Sequence, residues 1–260
     1  MKKECNVAIY LLWTDLKRSI LSWKFFLCAV CIAVMMFAAI KGMMNENGSI
    51  WYYMCLSLEG SGVMSMAMCV LPIFPFGISF ASEWEQKAHG CWIIRSGVRA
   101  YAFSKIMISF LSGFFVVFVG MGLFVLCMLP FAPVYFVEYT VSPYEILIAQ
   151  GHAVKGILLY MAHQSLGGGL TAVSALCIST LFPDPFVTAA SPLIVYFAIL
   201  RLTERLKLPS FLAPIYWINA IYCLETAWGS LGLKSVIVFV LCLLMGICIK
   251  KNIERRMLRE

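Results

Sequence analysis

Long apolar runs separated by short polar stretches dominate the 260-residue chain. Six runs have the apolar character of membrane spans, which typically need about 20 residues each. The apolar part of the fifth run is short, because Arg201 ends it. The pattern therefore predicts an all-α integral membrane protein with six transmembrane helices, at residues 24–40, 61–82, 106–129, 156–182, 186–200 and 235–249.

The stretches between these runs carry further predicted features. Residues 5–23 mix apolar and charged positions, which is typical of an amphipathic helix lying on the membrane surface. Residues 42–60 begin polar and become aromatic, and they predict an outer loop followed by an interfacial belt. Pro72 and Pro75 predict a kink in the second span. Residues 201–232 hold a broken apolar patch, which predicts an outer re-entrant segment between the fifth and sixth helices.

Composition and charge narrow the class of protein. The chain is 62% apolar and only 13% charged, which excludes an ordinary soluble enzyme. Fourteen of the twenty Lys and Arg residues lie near the two termini and in residues 83–105. This asymmetry predicts that both termini are cytoplasmic, and it explains the net charge of +7 without a nucleic-acid partner. We expect a single transmembrane domain over residues 1–260, in a prokaryotic cytoplasmic membrane.

Few polar groups are available for chemistry inside the predicted spans. The spans contain no Asp or Glu, which argues against proton-coupled transport and against an intramembrane carboxylate enzyme. A P-loop motif is absent from the sequence, so the chain itself is not expected to hydrolyse ATP. With three histidines in the sequence, we expect no metal site. His163, with Gln164 beside it, is a candidate intramembrane functional site, and helix packing is the favoured alternative.

Several glycines lie within the predicted third and fourth spans. Gly113, Gly120 and Gly122 belong to the third span, and the triplet 167–169 belongs to the fourth. Small residues in membrane helices most often allow two backbones to approach closely. We therefore expect these glycines to mark packed helix faces, and a flexible break at the triplet is the alternative.

The polar loop at residues 83–105 is the most informative stretch of the sequence. It begins with Glu83 and Glu85, and an apolar patch at 92–94 lies among its charged residues. Apolar residues exposed between charges indicate a docking surface. An ordinary amphipathic loop on the lipid is the alternative.

This loop and the predicted topology resemble the permease subunits of ABC-2-type (type V) ABC transporters. The family pattern has an acidic residue at the inner end of the second span, followed by a glycine and a short apolar stretch. One or two arginines and a lysine that opens the third span complete the pattern. The matching positions here are Glu83 or Glu85, Gly90, Trp92 to Ile94, Arg95, Arg99 and Lys105.

The resemblance implies a division of labour between subunits. Residues 5–23 would be the connecting helix, 83–105 the coupling loop and 201–232 the re-entrant segment. The coupling loop would dock on a separate P-loop ATPase that binds ATP and Mg, so this chain would hold no cofactor. The working unit would include a second permease, either a copy of this chain or a sister chain. The second and fifth spans would line the substrate path, with candidates Met64, Met68, Tyr196 and Phe197.

A substrate path without charges suits an apolar or amphipathic cargo, such as a peptide, a lipid or a drug.

Two other functions remain open at this point. A membrane-embedded enzyme acting on lipid or peptide is the first alternative, with His163, Gln164, Ser165 and Asp184 as its candidate polar residues. A membrane partner of an ATPase that transports nothing is the second. A disulfide between Cys55 and Cys223 is also left open.

Overall fold

Helices account for all the regular structure in the described part of the chain. The computed structural model describes residues 2–42, 44, 48–59, 62–136, 142–203 and 224–258, and for residues 2–8, 59, 62, 200 and 203 it describes the backbone only. The helices are α1 (Lys2–Ile20), α2 (Trp23–Ile40), α3 (Ile50–Glu59), α4 (Gly62–Val70), α5 (Ser79–Glu85), α6 (His89–Ser96), α7 (Val98–Met128), α8 (Pro143–Ala149), α9 (Ala153–Leu181), α10 (Pro185–Thr203) and α11 (Ala227–Met257).

Three of the described helices are long and apolar enough to cross a membrane, namely α2, α7 and α11. The pair α3 and α4 passes the same test jointly but is bent by 80°, so it forms either a broken span or a re-entrant loop. These helices indicate a membrane protein. Length and composition thus qualify three spans, or four with the bent pair, where the sequence pattern led us to expect six.

The second predicted span is divided into several short pieces. After α4 comes a 3₁₀ turn at Leu71–Ile73, then an irregular stretch, and α5 begins at Ser79. Proline lacks a backbone N–H and clashes with the preceding helical turn. Pro72 and Pro75 therefore interrupt the helix, and the predicted kink at these residues is confirmed.

The sequence predicts a loop and then an interfacial belt at residues 42–60, and the described residues before Ile50 are non-helical as expected. The aromatic part of this stretch forms α3, in which Trp51 and Tyr53 are buried. The backbone N–H of Ile50 donates to the Pro133 carbonyl oxygen over 2.9 Å, which joins α3 to the segment that follows α7. In the core, the Trp51 ring packs against the Tyr160 ring with a centroid distance of 5.0 Å.

Polar side chains mark where the helices start. The Ser22 hydroxyl accepts from the Phe25 N–H at the start of α2, and the Thr226 hydroxyl accepts from the Gly229 N–H at the start of α11. Asp184 accepts from two backbone N–H groups in the first turn of α10, at 2.8 and 2.9 Å. Each side chain satisfies backbone donors that a helix start leaves without a partner.

Helices α7 and α9 pack together at the centre of the bundle. A Cβ added to Gly168 would lie 2.5 Å from the Val117 methyl and 2.8 Å from the Gly113 carbonyl oxygen, so only glycine fits there. Gly120 makes a similar approach to α2, where its Cβ would lie 2.9 Å from the Ala29 carbonyl oxygen. The expectation of packed helix faces is confirmed for Gly113, Gly120 and Gly168. Gly122 has only ordinary contacts.

The apolar core divides into two clusters. The larger joins α2, α3, α7, α8 and α9 and includes Trp51, Phe124 and Tyr160. The smaller lies where α1, α5, α6, the start of α7 and the last turns of α11 meet, around Tyr101 and Ile253. We call this region the basic end, because the cationic residues near the N-terminus, in 83–105 and in the last turns of α11 lie there.

Candidate functional site

A cluster of buried charges lies at the basic end. Lys105 is the eighth residue of α7, and its side chain is 1% exposed. Its Nζ donates to Glu83 Oε1 over 2.7 Å and lies 3.6 Å from Asp15 Oδ1. The three residues belong to α7, α5 and α1, so one ammonium group holds three helices together. We call this group, with Arg18, the ionic cluster.

Every carboxylate oxygen of the ionic cluster has a partner. The hydroxyl of Tyr101 donates to Glu83 Oε2 over 2.7 Å, and Ser104 Oγ donates to Asp15 Oδ2 over 2.8 Å. The Arg18 guanidinium donates to Glu83 Oε1 over 3.2 Å. Two carboxylates therefore balance two cations. A buried cluster of this kind fixes geometry more than it adds net stability, because desolvation offsets much of the attraction.

Helix α6 projects a mixed apolar and cationic surface beside the ionic cluster. Ile93 is buried in the smaller core cluster, whereas Ile94 is 83% exposed and its neighbour Arg95 is also exposed. Gly97 links α6 to α7 with φ +78° and ψ 151°, a conformation that is essentially limited to glycine. The tight link places the exposed face of α6 directly before the first turn of α7.

Contacts from α5 and α11 support α6 from behind. The His89 ring stacks on the Trp84 ring at a centroid distance of 4.1 Å. The Arg256 guanidinium lies 4.8 Å from the centre of the same indole, and its Nε donates to the Thr180 carbonyl oxygen over 2.8 Å. The last turns of α11 are thereby joined to α5 and to the end of α9. A force applied to α6 would reach all these helices.

The residues predicted for coupling fall into three groups by exposure. Glu83 and Lys105 are buried in the ionic cluster, where they cannot touch another protein. Exposed positions are Glu85, Arg95 and Arg99, and they are available for contact. The remaining two predicted residues are Gly90 and Trp92, which are half-buried on α6. Lys105 does not open the third helix, because α7 already begins at Val98.

A second polar group lies within the larger core. His163 Nδ1 is 2.8 Å from the Tyr144 hydroxyl, which joins α9 to α8. Gln164 donates to the Tyr160 hydroxyl over 3.4 Å, one turn earlier in the same helix. Burial raises the pKa of Tyr144 above its ordinary value, so the phenol stays neutral at physiological pH. A hydrogen bond between helices is the packing role that we favoured for His163.

Two charged residues at these sites were missed by sequence reasoning. Lys234 is the eighth residue of α11, and it is 4% exposed although its position suggested an outer loop. Within the described chain its Nζ makes no hydrogen bond. Asp15 appeared to belong to a solvated helix face. A single charge within a mainly apolar stretch marks Lys234 in the sequence, whereas Asp15 lies beside Lys17 and Arg18 and carries no such signal.

The candidate residues for an embedded enzyme do not converge. His163 lies within α9 and Asp184 lies just beyond its end. At 1.5 Å per residue, the two are separated by about 30 Å along the helix axis. Ser165 Oγ donates to the Met161 carbonyl oxygen of its own helix. Asp184 caps α10. No shared reaction centre links these side chains.

The candidates for a substrate path lie on two helices that touch. Helix α4 carries Met64 and Met68, and it packs against α10, which carries Tyr196 and Phe197. Met64 and Tyr196 are buried, whereas Met68 and Phe197 are half-buried. The Tyr196 and Phe197 rings are in edge contact at 5.3 Å. Most of the predicted re-entrant segment, residues 204–223, and with it Cys223, lies outside the described residues.

Comparison of the chain with known proteins identifies no relative. The chain matches no protein-family model, no curated protein and no solved structure. Function therefore has to be argued from the described geometry and from the sequence pattern.

Proposed function

We propose that this chain is the membrane-spanning permease subunit of an ABC exporter. It would move an apolar or amphipathic substrate, such as a peptide, a lipid or a drug, across the cytoplasmic membrane. A separate P-loop ATPase subunit would bind ATP and Mg and supply the energy. In this proposal both termini are cytoplasmic, six helices cross the bilayer, and the substrate passes between this chain and a second permease, along a path lined by α4 and α10.

The observation that carries the proposal is the position of α6 beside the ionic cluster. An ATPase that changes shape during hydrolysis needs a rigid contact through which its motion is delivered. Helix α6 offers Ile94 and Arg95 to such a partner. Behind it, the buried bond of Lys105 to Glu83 joins α7 to α5. A push on α6 would therefore move α1, α5 and α7 together.

The charges of the ionic cluster define its part in this proposal. Asp15, Glu83 and Lys105 are buried, so they would transmit motion and would not recognise the ATPase. Recognition would fall to exposed residues, of which Ile94 is the most exposed apolar one on α6. An exposed large apolar side chain beside a cation is typical of a protein-binding surface.

The proposal is tested by affinity purification of the tagged full-length chain from its native host, with mass spectrometry of the co-purifying proteins. We expect a P-loop ATPase to co-purify with the wild type and with the control variant Phe131→Asp. Phe131 is a suitable control position because its side chain is 81% exposed and lies beyond the other end of α7. We expect loss of the ATPase with Ile94→Asp. Retention by both variants would exclude α6 as the docking site. Absence of any ATPase, where an established ABC complex survives the same protocol, would refute the permease proposal.

The two alternatives give different results in the same system. Turnover of a lipid or peptide by the purified chain without an ATPase would favour the embedded enzyme. ATPase binding, together with unchanged cargo export in a strain that lacks the chain, would favour a partner that transports nothing.

A further inference from the structure

A groove opens between the start of α2 and the broken segment that precedes α5. Its volume is about 700 Å³, within the range of small-molecule sites. Leu27 and Cys31 of α2 line one wall, and Leu71 and Phe74 line the other. The groove exists because Pro72 and Pro75 interrupt the helix opposite α2, which leaves the two walls apart.

Cations lie at one end of this groove. Lys24 is exposed there and forms no ion pair with any described residue. Arg18 also lines this end and remains 48% exposed despite its bond to Glu83. Among the described residues that line the groove, none is acidic. Since Arg18 is balanced within the ionic cluster, the excess positive charge of the groove is that of Lys24, which an anionic ligand could neutralise.

The order of polar and apolar positions identifies the ligand's shape. From Lys24 the apolar wall extends to Cys31, about 10 Å along α2 at 1.5 Å per residue. Trp23 lies beside the cations and is exposed, and tryptophan favours the boundary between lipid headgroups and acyl chains. A ligand that fits this order has an anionic head at Lys24 and an apolar tail directed toward Cys31.

We infer that the groove binds one anionic phospholipid of the leaflet at the basic end. Its phosphate would contact Lys24 and the exposed part of Arg18. Its acyl chain would lie between Leu27 of α2 and Phe74 of the opposite wall. This inference rests on the groove alone, and it holds for a transporter, an enzyme or a non-transporting subunit.

Native mass spectrometry of the full-length chain in detergent tests the inference, with phosphatidylglycerol and phosphatidylcholine added in parallel. We expect the first phosphatidylglycerol to bind at least about fivefold more tightly than phosphatidylcholine. Lys24→Gln should weaken phosphatidylglycerol binding about fivefold, which corresponds to about 1 kcal/mol for one cation near a lipid phosphate. Lys17→Gln is the matched control, because Lys17 is an exposed cation at the same end that does not line the groove.

A second pair of variants tests the apolar wall. Cys31→Trp fills the groove and should weaken phosphatidylglycerol binding, whereas Val30→Trp adds the same bulk on a neighbouring exposed position and should not. Equal affinity of the wild type for both lipids would overturn the inference, and so would equal effects of the two lysine variants. A protein dimer that Cys31→Trp abolishes without loss of lipid would assign the groove to a second copy of the chain.

Discussion

Replacing Lys105 by methionine is the most direct test of the ionic cluster. The substitution keeps most of the apolar stem and removes the ammonium group. Glu83 loses its 2.7 Å partner, and Asp15 loses a cation at 3.6 Å. Two buried carboxylates are then left with Arg18 alone, which is half exposed and lies 3.8 Å from Asp15. The cluster changes from neutral to a net charge of −1.

The size of the effect follows from burial. Removing one partner of a buried ion pair typically costs about 3–5 kcal/mol, because the other charge stays buried without compensation. The chain also offers a matched surface pair, Lys250 and Glu254, which lie 3.6 Å apart with both side chains about 40% exposed. Exposed pairs contribute at most about 1 kcal/mol. Lys250→Met should therefore have little effect.

The measurement is the free energy of unfolding in mixed micelles, with SDS as denaturant and tryptophan fluorescence as the signal. We expect Lys105→Met to lose about 3–5 kcal/mol. The double variant with Glu83→Gln restores a neutral cluster, so it should lose less than the sum of the two single variants. If Lys105→Met costs no more than Lys250→Met, or if the two cluster variants are additive, the buried-cluster reasoning is refuted.

Two glycine predictions concern backbone geometry, and both are read from the same unfolding curves. Gly113→Ala should destabilise the bundle by about 1–3 kcal/mol, the usual range for overpacking, because the new Cβ would overlap the Gly168 carbonyl oxygen; Gly122→Ala, with its nearest neighbour 3.4 Å away, should be nearly neutral. Gly97→Ala should cost about 1–3 kcal/mol because of its backbone conformation, whereas Gly90→Ala meets open space and should be tolerated. Equal effects within either pair would contradict the geometry.

A helix was predictable from the sequence where neighbouring residues determine its ends. The first predicted span at 24–40 corresponds to α2, Trp23–Ile40, because Ser22 caps its start and an uninterrupted apolar run follows. The start of α7 was not predictable in the same way. Residues 98–105 include Arg99 and Lys105, so the local sequence predicts a polar loop there, although the segment is helical in the structure. Burial of Lys105 against Glu83 makes helix the stable state there.

The candidate sites also differ in whether local sequence or long-range contacts determine them. The exposure of Ile94 and Arg95 follows from a local pattern of apolar and charged residues, which the sequence displays. The pairing of Ser104 with Asp15 joins residues that are 89 positions apart, and hydropathy carries no information about such a contact. The same holds for Lys234, whose burial depends on how α11 packs beside α8 and α9. Long-range charge pairing is a property of the folded bundle.

The ionic cluster also sets an order of events during biosynthesis. Helix α1 leaves the ribosome before α7, so Asp15 is made before its buried partners Ser104 and Lys105. Its carboxylate can enter the cluster only after Lys105 and Ser104 have been translated and α7 has inserted. Until then α1 stays in water or at the membrane surface, where its charge is hydrated. Helix α1 is thus synthesised before α7 but reaches its final contacts only after α7 is in place, and a chain arrested before residue 105 would leave α1 undocked and open to protease.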